Sequence, residues 1–584
     1  MCGIAGIMSV NGAAPAPERL RAMERLLAHR GPDGVGRYAK DDVAMVQTRL
    51  AIIDLVTGDQ PLFEPGGAAL IANGEIYNYR ELHAELPSVA FATQSDCELP
   101  LHLYRKHGLD FARYLRGMYA IAIHDPAAHR LVLARDPFGI KPLYYVERGD
   151  SFAFASEPTA LVETPHLAPD RRDELLQLQF TTEAGTIFAD IERVLPGEML
   201  VVEHGRVVAR SRLDAIPAAG PEKITETDAD TVARFDRVFE DSVALHQRSD
   251  VPYGMFLSGG IDSTAVLAMM ARLNERAVTA FTIGFDAPGA ADEREAARAV
   301  ATSLGAEHVE LNFSEDDFWR TLPLAVRALD DPCADYATLP TYRLGEAAQA
   351  RGFKVILSGE GGDEMFAGYG RYRRLLRPRW LGGRAPQFRG ALSGLGVLRD
   401  ENERWRHGID AARRTEETPE RTRLQTAQAV DCTDWLPNDL LLKLDRCLMA
   451  HGVEGRTPFL DRAVADFAFR LPDELKIKNG LGKHVLRQWL ATHVPAARPF
   501  ARKQGFTVPV GPWIARQSAR LAPLVAKSPA IAEICRPNSV EPLFHAADDR
   551  KRGVAAWHLL FYAVWHALHI ERRPPGADVL ETLA

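Results

Sequence analysis

The residue best suited to covalent chemistry is Cys2, which directly follows Met1 in "MCGIAGIM". Removal of Met1 would leave Cys2 with a thiol and a free α-amine, so that a nucleophile and a base lie on one residue. The alternatives are a stray thiol on a frayed terminus and the start of an export signal. No positive charge precedes the short apolar stretch, and Asn11 and Gly12 interrupt it, which argues against a signal peptide.

Polar residues further along the chain supply the groups that a glutamine-hydrolysing site needs. Such a site requires a cation for the α-carboxylate, an anion for the α-ammonium group and donors for the oxyanion. Arg49 in "QTRLAIIDL" and Asp96 in "TQSDCE" are candidates for the two charges. Asn73 and Gly74 in "ANGEIYNY" could donate to the oxyanion, and Glu75 would stand near the substrate amine. Each motif alone is a weak indication. Their joint order behind an N-terminal cysteine is what predicts a glutamine-hydrolysing site.

The elements that position these residues fall into two parts. A chain of 584 residues exceeds what one hydrophobic core usually organises, so two domains are expected. The first 200 or so residues show short β-like runs, such as 117–125 and 129–136. After them, apolar strands alternate with helical stretches, which indicates a parallel α/β sheet. The expected division is a first domain at 2–212, a linker at 213–230, where periodic apolar content is lost, and a second domain at 231–584 with a C-terminal helical extension.

Two glycine-containing loops in the second part are candidates for binding a phosphorylated ligand. "MFLSGGIDSTAVL" at 255–267 presents a strand, a turn and a helix start, which aims backbone N–H groups and a helix dipole at an anion. It is not a Walker loop. "VILSGEGGDEMFAGY" at 355–369 places Ser358, Gly359, Glu360 and Asp363 in a loop able to approach a nucleotide closely. Its acidic residues could instead serve as loop solvation or a helix cap.

The N-terminal motifs together resemble the class II, or N-terminal nucleophile, glutamine amidotransferase domain. The resemblance continues through "HRGPD", "GMYAIAIHD", "LARDPFGIKPLYY" and "FASEPTAL", so that it covers nearly all of residues 2–200. It implies an αββα Ntn-hydrolase sandwich with Cys2 at the edge of a central strand. The free amine would take the thiol proton, the thiolate would attack the glutamine amide, and water would later release glutamate. Ammonia is the useful product.

The C-terminal motifs resemble the glutamine-hydrolysing asparagine synthetase family. The SGGxDS form resembles the PP-loop of ATP pyrophosphatases, and "GVEGRTPFLD" at 452–461 and "GKHVLR" at 482–487 also match that family. The resemblance implies a parallel-sheet α/β PP-loop domain that uses ATP and Mg²⁺. The implied sites are Ser258, Gly259, Gly260 and Ser263 for pyrophosphate, Ser358 and Gly359 for ATP, Asp262 and Asp363 for Mg²⁺, Glu360 for adenylation or for deprotonating ammonium, Lys483 for the transferring phosphate, and Phe256 and Ile283 near adenine.

The sequence favours an enzyme that hydrolyses glutamine at Cys2 and amidates an adenylated carboxylate, with aspartate as the expected acceptor. Three alternatives remain open. A β-lactam-synthetase-like cyclase would need no glutaminase, and the intact set around Cys2 argues against it. A relative that amidates another carboxylate is not excluded. A non-enzymatic regulator would be favoured by losses at Cys2, Asp262 or Glu360, and all three residues are present.

Composition limits the partners and the location of the chain. The net charge is -8, with both signs interspersed, so no attraction to nucleic acid or to an anionic membrane is expected. Six cysteines lie far apart without a CxxC pair, which suggests neither a disulfide framework nor a zinc site. The apolar run at 557–570 is too short to span a bilayer and carries three histidines, so a buried or docking helix is expected there. A cytoplasmic location is expected, and a homodimer is an expectation from the family alone.

Overall fold

Two six-stranded antiparallel sheets form the first part of the molecule. A computed structural model describes residues 2–218, 220–222, 227–285, 293–377, 389–501 and 508–584. The strands of the first part are β1 (Cys2–Ser9), β2 (Gly34–Lys40), β3 (Val43–Arg49), β4 (Leu62–Phe63), β5 (Ala69–Ile76), β6 (Gly117–Asp125), β7 (Arg130–Arg135), β8 (Tyr144–Glu147), β9 (Ser151–Ala155), β10 (Glu192–Arg193), β11 (Glu198–Glu203) and β12 (Arg206–Arg212). One sheet has the order β10-β8-β9-β1-β3-β2, and the other has the order β12-β11-β7-β6-β5-β4.

Side-chain alternation in the strands makes these sheets a four-layer sandwich. On β1, Ile4 and Met8 pack between the sheets against Ile71 of β5, whereas Ala5 and Ile7 face the opposite way. The outward face is covered by α1 (Pro17–Leu27), and the outer face of the second sheet is covered by α2 (Tyr79–Glu85) and α3 (Leu99–His107). The predicted αββα architecture is confirmed. A fourth helix, α4 (Pro169–Leu178), lies between this part and the C-terminal helices.

The second part is built on a five-stranded parallel sheet with the order β15-β14-β13-β16-β17. Its strands are β13 (Tyr253–Phe256), β14 (Thr279–Phe285), β15 (Glu307–Phe313), β16 (Val355–Leu357) and β17 (Glu454–Arg456). The helices α5 (Asp228–His246), α6 (Ile261–Leu273) and α7 (Arg294–Ser303) pack on one face, and α8 (Glu315–Ala328) and α9 (Thr338–Ala350) pack on the other. Strands that are apolar on both faces are typical of such a covered parallel sheet.

Further helices surround the edge strand β17 and the end of the chain. They are α10 (Gly362–Met365), α11 (Gly370–Leu375), α12 (His407–Glu416), α13 (Arg423–Val430), α14 (Leu441–Met449), α15 (Arg462–Arg470), α16 (Asp473–Lys476), α17 (His484–His493), α18 (Val510–Lys527), α19 (Pro529–Ile534), α20 (Val540–His545), α21 (Arg550–His569) and α22 (Val579–Leu583). A π-helical segment, Asp431–Leu440, joins α13 to α14. Within the described ranges, no helix combines the length and the apolar content that crossing a bilayer requires.

Helix α21 is buried over most of its length, as the apolar run at 557–570 predicts for a buried or docking helix. Trp557 and Trp565 donate to the carbonyl oxygens of Ala334 and Leu329, which follow α8. On the other side, His558 contacts the carbonyl oxygen of Leu176 in α4 at 2.9 Å. The helix therefore packs against both parts of the molecule, and this explains why the run 557–570 is apolar without being a membrane span.

The connection between the two parts begins after β12 ends at Arg212. Helix α5 begins at Asp228, two residues before the predicted end of the linker at residue 230. The reason is a capping box, in which Thr227 accepts from the amide of Asp230 and the Asp230 side chain accepts from the amide of Thr227. Residues 219 and 223–226 of the predicted linker lie outside the described residues.

Candidate active sites

The thiol of Cys2 lies at the first position of β1 and is buried among polar partners. Its main-chain N–H donates to Oδ1 of Asn73 at 3.0 Å. The side-chain amide of Gln47 donates to Sγ at 3.0 Å. Burial raises the pKa of the Cys2 thiol, and the main-chain N–H of Leu50 acts in the opposite direction. A thiolate at this buried position therefore needs hydrogen bonds that stabilise its negative charge.

The neighbouring strand β5 carries the predicted oxyanion donors. Asn73 is completely buried, and its Nδ2 has no hydrogen-bond partner among the described residues. Because Oδ1 is held by Cys2, this unpartnered donor is fixed beside the thiol, where a tetrahedral intermediate would form. Gly74 is needed for close strand pairing, since a Cβ at this position would lie 2.2 Å from the carbonyl oxygen of Met118.

Two buried carboxylates, Glu75 and Asp96, lie beside these donors. Asp96 accepts from the main-chain N–H of Ile76 at 2.6 Å. Burial raises the pKa of Asp96 to about 6. Burial, followed by the charges of Asp96 and Glu454, raises the pKa of Glu75 well above its ordinary value. A pair of buried carboxylates that repel each other is suited to a cationic ligand, because an ammonium group would favour their ionised forms.

Arg49 ends β3 and is paired across the strands with Cys2. One guanidinium nitrogen, Nη2, donates to the carbonyl oxygens of Asp54 and Ile53. The other, Nη1, contacts the carboxylate of Asp59 at 2.6 Å. The structure thus brings the predicted cation, the carboxylate pair, the donors and the thiol together around Cys2, on or next to interior strands of the two facing sheets.

The first loop of the second part, between β13 and α6, places main-chain N–H groups at the start of a helix. Gly260 is the N-cap of α6, and no side chain caps the helix. Within the loop, the hydroxyl groups of Ser258 and Ser263 lie 3.0 Å apart, and Gly259 adopts a positive φ of 70°. Serine hydroxyls and uncapped N–H groups around a helix N-terminus form a site suited to an anion.

The second loop, after β16, contacts the first loop directly. A Cβ on Gly359 would lie 2.7 Å from the main-chain nitrogen of Ser263, and a Cβ on Gly362 would lie 2.5 Å from Oδ1 of Asp262. These glycines therefore permit a contact that any side chain would prevent. Ser358 is anchored by its amide, which donates to the carbonyl oxygen of Arg456 at 2.8 Å, and its buried hydroxyl has no partner among the described residues.

Lys483 joins the acidic residues of the two loops. Its Nζ contacts the carboxylate of Asp262 and lies 2.6 Å from that of Asp363. Lys483 is buried and holds a φ of 60° as the N-cap of α17. Two carboxylates that converge on one point fit Mg²⁺, which is usually held by one or two carboxylates together with substrate phosphates. In the described part of the chain, no group of three or more His, Cys, Asp or Glu residues could hold a metal.

Glu360 lies in the same loop among further charges. Burial raises its pKa, the Lys443 cation opposes this, and the carboxylates of Asp335 and Asp363 add to it. Lys443 itself is bound to Asp335 at 2.7 Å. A buried carboxylate with a raised pKa is a better proton acceptor than an exposed one.

The two predicted adenine neighbours lie in the strands that lead to these loops. Phe256 ends β13, and Ile283 lies in β14 with its side chain buried. Both belong to the apolar core of the sheet. Their position at the carboxyl ends of parallel strands is where ligands of open α/β sheets bind.

Several residues of these sites were missed by sequence reasoning. Gln47 could have been found, because strand alternation puts it on the same face as Arg49. Arg30 donates to the carbonyl oxygen of Cys2 at 3.2 Å, and Arg456 forms an ion pair with Glu75 at 3.4 Å. Arg456 lies in the second part of the chain and Glu75 in the first, so only the tertiary structure brings them together.

The first part is an αββα sandwich with a buried cysteine at the start of β1, and it is joined to a parallel-sheet domain with two glycine-rich loops. This combination defines a class of two-domain amidotransferases. The model of the glutamine amidotransferase domain matches residues 1–212, and the asparagine synthase model matches residues 234–569. The chain belongs to the asparagine synthase family.

Curated relatives match the chain over most of its length. Glutamine-hydrolysing asparagine synthetase 1 of Bacillus subtilis (strain 168) is 32% identical over 98% of this chain and 98% of its own. Glutamine-hydrolysing asparagine synthetase B of Escherichia coli (strain K12) is 30% identical over 88% of this chain and 83% of its own. Amidase chry2 of Gibberella zeae is 28% identical over 87% of this chain and 88% of its own.

The contact between Gln47 and Sγ predicts a role in stabilising the thiolate. A hydrogen bond to a charged group contributes about 1.5–3 kcal/mol, so Gln47→Leu should lower the rate of Cys2 alkylation near neutral pH about 10-fold or more. Glutamine hydrolysis should fall with it, and ammonia-dependent synthesis should not. Tyr38→Phe is the control, because it removes a buried hydrogen bond to His124 in the same sandwich without touching Cys2. Equal alkylation rates in Gln47→Leu and wild type would contradict the role.

The carboxylate pair predicts how glutamine affinity depends on pH. Asp96 must be ionised to hold an ammonium group, and its pKa of about 6 means that it becomes protonated as the pH falls from 7 to 5. Binding of glutamine to the Cys2→Ala variant, measured by calorimetry, should therefore weaken up to about tenfold per pH unit below 6. Asp96→Asn should bind weakly and lose this dependence. Constant affinity of the Cys2→Ala variant from pH 7 to pH 5 would contradict the prediction.

Proposed function

We propose that the protein is a glutamine-hydrolysing asparagine synthetase, which converts aspartate, glutamine, ATP and water to asparagine, glutamate, AMP and pyrophosphate. The observation that carries the proposal is the presence of two complete candidate sites in one chain whose family and full-length relatives are asparagine synthetases. In the first site, a thiol lies beside an unpartnered amide donor. In the second, a lysine lies between two carboxylates at glycine-rich loops.

In the first site, Arg49 would hold the α-carboxylate of glutamine, and Glu75 with Asp96 would hold its α-ammonium group. The α-amine of processed Cys2 would take the thiol proton, and the thiolate would attack the side-chain amide. Nδ2 of Asn73 and the N–H of Gly74 would donate to the oxyanion. Ammonia leaves, and water then hydrolyses the thioester to release glutamate.

In the second site, a carboxylate oxygen of aspartate would attack the α-phosphorus of ATP, forming an acyl-adenylate and releasing pyrophosphate. Ser258, Gly259, Gly260 and Ser263 would hold the departing pyrophosphate through hydroxyl and N–H groups. Lys483 would neutralise the charge that develops on the phosphates.

The remaining residues of the second site would position the nucleotide and complete amide formation. Ser358 and Gly359 would line the nucleotide, with Phe256 and Ile283 near the adenine. Asp262 and Asp363 would hold Mg²⁺, which supplies charge neutralisation to the phosphates when bound. Ammonia would then attack the acyl carbon and expel AMP, with Glu360 accepting its proton.

Fusing the two reactions has a physical reason. In bulk water at neutral pH, ammonia is mostly present as ammonium, which is not a nucleophile, so its release into solvent would lose the reactive form. The proposal therefore includes internal transfer of ammonia between domains at 2–212 and 231–584. A cytoplasmic location and a homodimer complete the proposal; the location comes from the composition, and the homodimer comes from the family resemblance alone.

The proposal is tested by supplying glutamine, MgATP and a panel of carboxylates, and by measuring pyrophosphate and new amide. Aspartate is the acceptor expected to give both products. Pyrophosphate and amide with another carboxylate, and none with aspartate, would overturn it. The relative called amidase chry2, whose name differs from that of the synthetases, is the reason to include carboxylates other than aspartate.

Substitutions at the two sites should separate the two half-reactions. Cys2→Ala should lose glutamine-dependent synthesis and keep ammonia-dependent synthesis. Lys483→Gln should keep glutamine hydrolysis and lose at least about 100-fold in pyrophosphate release, because a charge on the transition state is no longer neutralised. Lys478→Gln is the matched control, since this exposed lysine pairs with Asp228 outside the loops. Loss of both activities in folded Cys2→Ala protein would refute the two-site division.

The ion pair between Arg30 and Asp445 predicts a coupling effect. Asp445→Asn leaves the buried Arg30 guanidinium without its bidentate partner, which should cost about 3 kcal/mol of folding free energy. Arg30 also donates to the carbonyl oxygen of Cys2, so the substitution should uncouple glutamine hydrolysis from amide formation. The molar ratio of glutamate released to amide formed should then rise above one. Lys354→Gln, which breaks the partly exposed pair with Asp33, should change neither quantity measurably. A ratio of one in Asp445→Asn would contradict the prediction.

A further inference from the structure

The guanidinium of Arg49 already holds a carboxylate that belongs to the chain itself. Its side chain is mostly buried, whereas the side chain of Asp59 that it contacts at 2.6 Å is 80% exposed. The two nitrogens of Arg49 have different partners, since Nη2 donates to main-chain carbonyl oxygens and Nη1 contacts Asp59. An incoming carboxylate could therefore bind to Nη1, the nitrogen that faces Asp59, without breaking the main-chain contacts of Arg49.

The loop that carries Asp59 is held in place on both sides. Asp54 accepts from the N–H and hydroxyl groups of Thr57 and from the N–H of Gln94, which closes the loop on itself. After Asp59, the buried Gln60 accepts from the N–H of Ala72, the residue before the oxyanion donor on β5. Asp59 is therefore presented from a fixed backbone.

Gly58 brings this loop against the guanidinium. A Cβ at Gly58 would lie 2.7 Å from Nη2 of Arg49, so the close approach requires glycine. Because the main-chain carbonyl oxygens and the packing of Gly58 already orient Arg49, the guanidinium does not depend on Asp59 for its position.

We propose that Asp59 is an internal competitor for the carboxylate arm of Arg49 and thereby sets the affinity of the protein for glutamine. The inference rests on the proposed function, in which Arg49 holds the α-carboxylate of glutamine. Glutamine must displace the Asp59 carboxylate from Nη1, or share this nitrogen with it, in order to bind. Glutamate, the product, carries the same α-carboxylate and meets the same competition, so its release is favoured as well.

The size of the effect follows from the exposure of Asp59. An ion pair with one solvent-exposed partner is typically worth about 0.2–1 kcal/mol, which corresponds to a change in affinity of about 1.4- to 5-fold. Salt screens an exposed charge, so the effect should shrink as the ionic strength rises. The competition acts on binding alone, because Asp59 has no contact with the thiol or with the oxyanion donors among the described residues.

The test compares Asp59→Asn with wild type and with Asp42→Asn, a control that removes the same charge from a partly exposed turn position of the same domain. The KM for glutamine and the inhibition constant of glutamate in the glutaminase reaction should both fall about 1.4- to 5-fold in Asp59→Asn, and kcat should stay the same. The dissociation constant of glutamine, measured by calorimetry in a Cys2→Ala background, should fall by the same factor. Asp42→Asn should give the wild-type values of all these constants. In Asp59→Asn, the KM for aspartate in ammonia-dependent synthesis should equal that of the wild type.

Two results would overturn the inference. An unchanged KM shows that Asp59 does not compete, and a raised KM shows that it orients Arg49 or holds the substrate ammonium group. Arg49→Lys separates this failure from failure of the proposed function. If Arg49→Lys raises the KM for glutamine strongly while Asp59→Asn does not lower it, only the competition is wrong. If Arg49→Lys leaves the KM unchanged, the glutamine site itself is misassigned, and the competition fails with it.

Discussion

Two fully buried arginines, Arg30 and Arg446, fix the first part of the molecule against the second. Arg30 contacts Glu157 of its own part at 2.8 Å and Asp445 of α14 at 2.9 and 3.1 Å. Arg446 contacts Asp445 at 3.1 Å and Asp330 at 2.9 Å. Replacing such a network by apolar residues often changes the stability of the fold little. Removing one partner is strongly destabilising, because a charge is left buried and unpaired. The parts therefore have one arrangement in which all these charges are satisfied, and both candidate sites depend on it.

The same interface reaches into the two sites through single residues. Arg456 of β17 forms an ion pair with Glu75 beside the thiol, and its main-chain carbonyl oxygen accepts from Ser358 at the second glycine-rich loop. Arg30 likewise holds both Asp445 and the carbonyl oxygen of Cys2. A shift of the interface would thus disturb Cys2 and the second glycine-rich loop at once, which gives a physical route for coupling between the two proposed reactions.

The sequence predicts those features that depend on local chemistry. The strands at 117–125 and 129–136 and the strand-turn-helix around Gly260 are visible in one stretch of chain, and the fold and the family are confirmed. The roles of Cys2, Asn73 and Lys483 stay predictions, although the structure places each beside the expected neighbours. Gln47 was accessible from strand alternation. The partners that are distant in sequence could not be predicted, because 415 residues separate Arg30 from Asp445 and no periodicity links such positions.

Both candidate sites neutralise their ligand-binding charges internally. The carboxylate of Asp59 lies where an anionic ligand of Arg49 would lie, and the ammonium of Lys483 lies between two carboxylates that would face a cation. A bare charge in a partly buried site would cost several kcal/mol to desolvate, which would lower the stability of the ligand-free protein. Ligand binding then becomes an exchange of one charged partner for another. With the proposed roles, part of the gross interaction with each ligand would be offset before binding, and this would keep the affinity of each site moderate even though its charges are strong and well positioned.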